Sequence, residues 1–352
     1  MKHPVIFTIA ILCLTLFTNQ SLADNATPMT CQDHTIRVKL KPDARRTYTV
    51  TGTLCYNEST ADKTLQILLS GGGYGPIYWD FTYEPETYSY VRAAVRNGFA
   101  TFNLSRIGIG QSDHPRGFLV DMDANAYVVQ QVIEYIQSAQ SGIDAPKAII
   151  TVGHSMGSVM ALAHAVTYPR AIDGTILTGF VHNVNPEYPA NIASASYFAP
   201  LDPRFIGKGY GWFYLTTKPG TRRDLFYNTS NADPEVIAID EATKETLTVS
   251  EIASRGDYYT DVSLAIQVPV LIVLGDGDGV GCGGALDCSD SQSVQDLEEA
   301  FFSAEACIET EVIENTGHNV NLHYSAPDSY ARMFDWIARR IGSAATQPCG
   351  TP

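Results

Sequence analysis

The chain has 352 residues, of which 45% are hydrophobic and 17% charged, so it can bury a large core and is not disordered throughout. Its 38 acidic and 23 basic side chains give a formal net charge of −15. A surface this acidic repels the phosphates of nucleic acids and anionic lipids, so we predict no nucleic-acid partner.

The first 23 residues have the composition of a secretory signal peptide. Lys2 precedes an apolar run from Val5 to Phe17, and the small residues Ser21 and Ala23 follow it. The run is too short to span a bilayer comfortably. We therefore predict cleavage after Ala23, with Ala26 as the alternative. The mature protein is then secreted (periplasmic in a bacterium) and does not insert into the membrane.

The next predicted elements form an antiparallel hairpin, because polar and apolar residues alternate from Thr35 to Leu40 and from Thr47 to Cys55. Apolar strands then alternate with amphipathic helices. The predicted strands are Leu65–Leu69, Ala100–Leu104, Ala148–Val152, Gly174–Phe180, Val268–Leu274 and Glu311–Ile313. The predicted helices are Tyr88–Asn97, Asp123–Ser138, Met156–Tyr168, Ser293–Phe302 and Pro327–Ile341. This order predicts an α/β fold with a mostly parallel, eight-stranded mixed sheet and helices on both faces.

The alternation of strands and helices breaks between residues 182 and 262, where 12 of 81 residues are aromatic. We predict a cap inserted after the sixth strand, over the sheet edge where ligands bind in open α/β folds. The core domain then comprises residues 24–181 and 263–352. We expect Trp212, Phe213 and His182 of this cap to line a substrate pocket together with Tyr74. The alternative is a subdomain whose aromatic residues fill only its own core.

Cysteine usage agrees with export. An even number of cysteines lies beyond the predicted signal peptide, and an oxidising compartment favours disulfides over metal ligation. These six are Cys31, Cys55, Cys282, Cys288, Cys307 and Cys349. We predict at least two disulfides, with Cys31 paired to Cys55 across the hairpin and Cys282 with Cys288 closing one loop. Glycosylation sequons occur at Asn25, Asn57, Asn103 and Asn228.

The segment Gly153-His154-Ser155-Met156-Gly157 fits the pattern G-x-S-x-G. An apolar strand precedes it and a helix follows, so Ser155 lies on a sharp strand-to-helix turn that the two glycines permit. The helix N-terminus beneath the serine stabilises negative charge. The alternative role for Ser155 is a helix cap. The context favours a nucleophilic serine.

A serine nucleophile needs a base, and the base needs an acid that orients it. In this architecture the acid is expected first and the histidine last. We predict His318 as the base in preference to His323. We predict Asp278 as the acid in preference to Asp276, because it has the reach to turn back toward the imidazole. A calcium loop here is disfavoured, since Val280 stands where an oxygen ligand is needed.

The glycine-rich segment from Ser70 to Gly75 follows the first parallel strand. Its backbone can approach a substrate closely, so we predict that the amides of Gly72 and Met156 stabilise an oxyanion. A phosphate-binding loop is disfavoured, because no Lys-Ser/Thr follows the glycines.

From Leu65 to Ile341 the chain resembles the lipase- and esterase-like α/β-hydrolase superfamily with a lid or cap. Ser70-Gly71 and Trp79 stand where the family has His-Gly and a tryptophan. The segment 102–112 resembles the family's D-x-x-G-x-G-x-S region, except that Asn103 to Ser105 lacks the aspartate.

The resemblance implies a secreted serine hydrolase that cleaves carboxylic esters or lactones of small to medium hydrophobic substrates through an acyl-enzyme, without a cofactor or a metal. Three other functions stay open. They are a lyase, cyclase or acyltransferase of secondary metabolism with the same triad, an aminopeptidase-like hydrolase, and a non-catalytic binding protein. The intact set of serine, histidine and aspartate argues against the last of these.

Overall fold

The computed structural model describes residues 28–341. The predicted signal peptide with both cleavage sites, the sequon at Asn25 and Cys349 therefore lie outside the described residues. Within residues 28–341, no helix combines the length and apolar character needed to cross a membrane.

The described residues form a large and a small β-sheet. The strands are β1 (Thr30–Val38), β2 (Tyr48–Tyr56), β3 (Thr64–Leu69), β4 (Ala100–Ser105), β5 (Ala148–His154), β6 (Gly174–Thr178), β7 (Ser196–Phe198), β8 (Tyr214–Thr217), β9 (Leu247–Thr248), β10 (Val270–Gly275) and β11 (Glu309–Ile313). The large sheet has eight strands in the order β1-β2-β4-β3-β5-β6-β10-β11. The strand pairs β1–β2 and β2–β4 are antiparallel and the others parallel. The predicted mixed eight-stranded sheet is thus confirmed.

The helices are α1 (Pro85–Tyr88), α2 (Tyr90–Arg96), α3 (Met122–Gln137), α4 (Met156–Thr167), α5 (Tyr188–Ala195), α6 (Arg222–Phe226), α7 (Pro234–Thr243), α8 (Val249–Ser254), α9 (Ser291–Glu298) and α10 (Ala326–Arg340). Helices α3, α4 and α9 pack on one face of the large sheet, and α1, α2 and α10 pack on the other. The first predicted helix is interrupted at Ser89, whose backbone is extended and whose side chain caps α2 by accepting from the Arg92 amide.

Strand β3 shows why the sheet is covered twice. Because side chains alternate across a strand, Leu65, Ile67 and Leu69 pack into a cluster with α3 and α4. Leu68 packs into a second cluster with α2 and α10 on the other face. Every residue of β3 is buried, which explains its mainly apolar sequence. The exception in its interior is Gln66, whose side-chain oxygen accepts the Tyr90 hydroxyl.

The predicted cap region lies between β6 and β10 and contains α5 to α8 and the antiparallel small sheet, β7-β8-β9. Its own hydrophobic cluster is small, with Ala199, Phe205 and Tyr214 as the buried members. Phe226 and Tyr258 instead join the two clusters that flank the large sheet. The cap region therefore packs onto the core rather than around a large centre of its own.

The two predicted disulfides are both present. Cys31 and Cys55 face each other across β1 and β2, with their Cα atoms 4.2 Å apart. Cys282 and Cys288 close a short loop after β10, with their Cα atoms 5.6 Å apart.

Removing the first disulfide is expected to cost more stability than removing the second. Cys31 and Cys55 are 24 residues apart and Cys282 and Cys288 only 6. In the chain-entropy model, the larger loop contributes about 3 kcal/mol to the free energy of unfolding and the smaller about 2 kcal/mol. Urea unfolding of the two double Cys→Ala variants checks this, and the opposite ranking would contradict it.

Candidate active site

Ser155 lies on a strained turn between β5 and α4. Its φ of 53° and ψ of −118° place it in a conformation that residues with a side chain rarely adopt. A Cβ atom at Gly157 would lie 2.1 Å from the Leu69 carbonyl oxygen, and one at Gly153 would lie 2.5 Å from the Ser158 Cα. The Ser155 side chain makes no capping hydrogen bond to α4. The turn thus presents the serine on the wall of a cavity rather than using it as a helix cap.

His318 and Asp278 form a buried hydrogen-bonded pair. The Nδ1 atom of His318 lies 2.9 and 3.0 Å from the two carboxylate oxygens of Asp278, and both residues are 1% exposed. Asp276 instead accepts the backbone amides of Asn315 and Thr316. Of the two candidate acids, the structure brings Asp278 to the imidazole and uses Asp276 to hold the loop.

The two candidate histidines differ in what their nitrogens contact. His323 Nε2 accepts the amides of Asn228 and Gly317 at 3.0 and 3.1 Å, and its Nδ1 donates to the Asn319 carbonyl. Burial lowers the pKa of His323 to about 4, so its ring is neutral and fully engaged at pH 7. The buried Nε2 of His318, by contrast, hydrogen bonds to none of the residues that the structure describes.

Ser155 and His318 both adjoin the carboxyl end of β6. The Ser155 amide donates to the Thr178 carbonyl at 2.8 Å, and a Cβ atom at the next residue, Gly179, would lie 3.1 Å from His318 Nδ1. The neighbouring ring of His154 lies 4.9 Å from that of His318. Burial holds the pKa of His154 well below its ordinary value, and the neighbouring imidazole of His318 adds to this effect. His154 is therefore a neutral packing partner.

The two predicted oxyanion donors also lie on the cavity wall. Met156 is the first residue of α4, and a Cβ atom at Gly72 would lie 3.6 Å from the Met156 Cβ. We call residues 70–75 the glycine loop. Ser70, which stands where the family has histidine, donates its hydroxyl to the Tyr74 carbonyl and so closes this loop.

Arg106 fixes the peptide unit that carries the Gly72 amide. Its Nη2 donates to the Gly71 carbonyl at 3.0 Å, and its Nη1 pairs with Glu251 at 2.9 Å. The carbonyl and amide of one trans peptide point in opposite directions. Anchoring the Gly71 carbonyl on the buried arginine therefore turns the Gly72 N–H the other way.

The cap region holds the glycine loop from a second side. The Gly73 amide donates to the Thr246 carbonyl, and the Gly73 carbonyl accepts the Glu245 amide at 2.9 Å and Arg222 Nη1 at 3.2 Å. Arg222 is itself paired with Asp240. None of these contacts was predicted, because partners this distant leave no pattern in the sequence.

The cavity that holds Ser155 has a volume of about 480 Å³ and a mainly apolar wall. Tyr74 lies on this wall, where it was expected, and Phe226 packs its ring 5.6 Å from that of His318. Tyr188 and Ile192 stand one turn apart on α5 and face the cavity together. Their i, i+4 spacing was a usable signal, but the sequence gave no indication of which side of α5 faces the serine.

Three predicted pocket residues do not line the cavity. Trp212 is 61% and Phe213 46% exposed, and neither is on the cavity wall. His182 is buried elsewhere, between Glu298 at 2.6 Å and Ser263 at 2.9 Å. That network ties the start of the cap region to α9 and to Ser263, so the structure does not bring His182 to the wall of the cavity that holds Ser155.

Residues 66–333 match the sequence model of a protein family that is described as "Alpha/beta hydrolase family". The chain belongs to the alpha/beta hydrolase family. This alpha/beta hydrolase is similar in fold to an esterase from Thermogutta terrifontis, with 16% identity and a TM-score of 0.59 over 87% of this chain and 98% of that one. It is also similar to a soluble variant of monoglyceride lipase from Saccharomyces cerevisiae, with 16% identity and a TM-score of 0.58 over 86% and 95% of the two chains.

A shorter match exists to a curated protein, the 1-acylglycerol-3-phosphate O-acyltransferase ABHD5 of Rattus norvegicus. The two are 27% identical over 125 residues, which is 36% of this hydrolase and 32% of the relative. This hydrolase thus matches about a third of the relative's length.

Proposed function

We propose that this alpha/beta hydrolase is a serine hydrolase that cleaves carboxylic esters or lactones through an acyl-enzyme. The observation that carries the proposal is the strained Ser155, which faces an apolar cavity, beside a His318 that Asp278 orients through Nδ1. Nucleophile, acid and base follow one another along the chain in the order expected for this fold.

In the proposed reaction, the Ser155 hydroxyl attacks the ester carbonyl while His318 Nε2 accepts its proton. Asp278 stabilises the imidazolium that forms. The amides of Gly72 and Met156 stabilise the oxyanion. His318 then returns the proton to the leaving alcohol, and a water molecule, deprotonated by the same histidine, releases the acid. Each proton taken up is given back, so the cycle needs no cofactor.

The cavity supports the proposed substrate class. Its volume of about 480 Å³ is in the range of small-molecule sites, and apolar side chains of the cap region form much of its wall. Small to medium hydrophobic acyl or alcohol groups fit this description, whereas a bulky polymer does not. The charged residue on the described wall is a cation, Arg255. It repels a substrate amine, which disfavours the aminopeptidase-like alternative.

An acyltransferase is the second candidate, because the curated relative of partial length bears that name. The two activities share the acyl-enzyme and differ in whether water or another alcohol receives the acyl group. Product analysis with glycerol present separates them, since a transferase yields acylglycerol where a hydrolase yields free acid.

We propose secretion because the structure contains two disulfides, and disulfides form and persist in oxidising compartments.

One of the predicted glycosylation sequons begins at Asn103, which is buried in the middle of β4. Its side chain donates a hydrogen bond to the Pro76 carbonyl.

Introducing a charge on the apolar wall is expected to penalise long acyl chains selectively. Ile192 lines the cavity. Burial of each CH₂ group of a long acyl chain contributes about 0.8 kcal/mol to binding, and a charged wall removes part of this gain. Ile192→Asp should therefore lower kcat/KM for p-nitrophenyl octanoate at least about tenfold more than kcat/KM for p-nitrophenyl acetate. The exposed Trp212 supplies the matched control, Trp212→Ala, which should leave the profile unchanged. If wild type and both variants showed the same dependence of kcat/KM on acyl-chain length, the acyl chain would not bind against Ile192.

A further inference from the structure

Among the described residues that line the cavity, Arg255 is the one that carries a charge. It is partly buried, directly after α8, and shares this wall with Ser155. No ion pair shorter than 4.0 Å joins its side chain to a carboxylate of residues 28–341. The other arginines buried near the cavity are neutralised, Arg106 by Glu251 at 2.9 Å and Arg222 by Asp240 at 2.8 Å. Arg255 thus differs from them in a protein with a net charge of −15.

Two tyrosines accompany Arg255 on the same wall. Tyr188 and Tyr259 both line the cavity, and burial raises the pKa of each hydroxyl while the positive charge of Arg255 opposes the rise. Both hydroxyls are therefore protonated at pH 7 and can donate a hydrogen bond.

A cation without a partner on an apolar wall is costly to desolvate, and a bound anion offsets that cost. The guanidinium group can form two parallel hydrogen bonds to a carboxylate. One positive charge that shares a cavity wall with two neutral donors matches a carboxylate, with one negative charge, better than a phosphate dianion.

We infer that Arg255, Tyr188 and Tyr259 form a carboxylate subsite, and that the substrate is an ester or lactone that carries a carboxylate remote from the bond to be cleaved. This inference rests on the proposed function and specifies its substrate class. The carboxylate would bind at the Arg255 side of the cavity while the apolar wall takes the intervening chain.

The test compares esters that differ only in a terminal carboxylate. Mono-p-nitrophenyl adipate and suberate are paired with p-nitrophenyl hexanoate and octanoate, and shorter diacids are avoided because their free carboxylate attacks its own ester. Wild type is expected to show kcat/KM about tenfold or more higher for each diacid ester than for its neutral partner, the range of a charge-assisted hydrogen bond. In Arg255→Met this ratio should fall to about 1 or below, because the carboxylate then faces an apolar wall without a partner.

Arg223→Met is the matched control for net charge. Arg223 belongs to the same cap region but has a side chain that is 60% exposed and does not line the cavity. Its loss removes one positive charge without changing the subsite, so the diacid-to-neutral ratio should stay at the wild-type value. An equal fall of the ratio in both variants would mean that the long-range field of the cap region, not a subsite, selects anionic esters, and would overturn the inference.

A ratio near 1 in wild type, unchanged in Arg255→Met, would also overturn the carboxylate subsite. The proposed esterase function would survive that result, because the neutral esters would still be cleaved. If wild type cleaved neither series, the esterase proposal would fail. The carboxylate subsite would then be tested separately, by measuring ligand affinity. Suberate monomethyl ester, titrated calorimetrically into Ser155→Ala, should bind at least about tenfold more tightly than into Ser155→Ala/Arg255→Met. Equal affinities would refute the subsite.

Discussion

Replacing Ser155 by alanine should abolish ester hydrolysis while the protein stays folded. The hydroxyl is the proposed nucleophile, and losses of this kind cost on the order of 10⁴-fold or more in kcat. The fold should survive, because the Ser155 side chain does not cap α4 and alanine meets the same backbone strain at φ 53° as serine does. Hydrolysis of p-nitrophenyl butanoate and labelling by a fluorophosphonate measure the first effect, and thermal unfolding measures the second. Full labelling of the alanine variant would mean that a residue other than Ser155 is the nucleophile.

His318→Ala is expected to cause a loss of similar size, because nucleophile and base act as a unit. His323→Ala provides the comparison. Its ring bridges the amides of Asn228 and Gly317, so its removal should lower stability, and the folded fraction should still hydrolyse the ester. If His318→Ala kept full activity and His323→Ala lost it, His323 would be the base.

Gly157→Ala is expected to destabilise the protein severely. A Cβ atom at this position would lie 2.1 Å from the Leu69 carbonyl oxygen, which is backbone and cannot rotate away. Alanine favours a helix over glycine by about 1 kcal/mol, but separating α4 from β3 to relieve the overlap should cost about 3 kcal/mol or more. The net change in the free energy of unfolding is therefore a loss, measurable by urea unfolding.

The matched control for this substitution is Gly211→Ala. Gly211 has open space around its Cβ position and no positive φ, so alanine there should leave the unfolding midpoint within experimental error of wild type. A Gly157→Ala protein that unfolds at the same urea concentration as Gly211→Ala would show that β3 and α4 do not approach as closely as described.

Local sequence patterns were sufficient to predict the sheet and the serine turn. The inner strands β3, β5, β6 and β10 are buried on both faces, so each appears as a short, mainly apolar run. The turn at Ser155 needs glycine at positions 153 and 157, because a Cβ atom at either position would overlap neighbouring backbone. Asp278 was preferred to Asp276 because it lies farther along the chain from the end of β10 and can reach back toward the imidazole. In the structure Asp278 contacts His318, whereas Asp276 accepts a backbone amide of the neighbouring loop. These features depend on contacts between near neighbours in the chain or on strand ends that share one edge.

The cap region could not be predicted in the same way. Its aromatic content suggested a roof over the serine, yet Trp212 and Phe213 point to solvent, while Ile192 and Leu215 line the cavity. Short helices and short strands carry too little periodicity to fix which side faces the core, so packing against residues far away in the chain decides it.

The sequence by itself determined the elements of the core and the order of serine, aspartate and histidine, and it suggested the two cysteine pairs that the structure contains. Only the tertiary structure decided which side chains surround the serine and which charges lack a partner. Arg106, Arg222 and Arg255 are indistinguishable as sequence, because the carboxylates that neutralise the first two lie on segments brought together by folding. Whether an arginine anchors the structure or is available to bind a ligand depends on whether folding places a carboxylate next to it. Long-range packing decides this, because such carboxylates lie far away in the sequence.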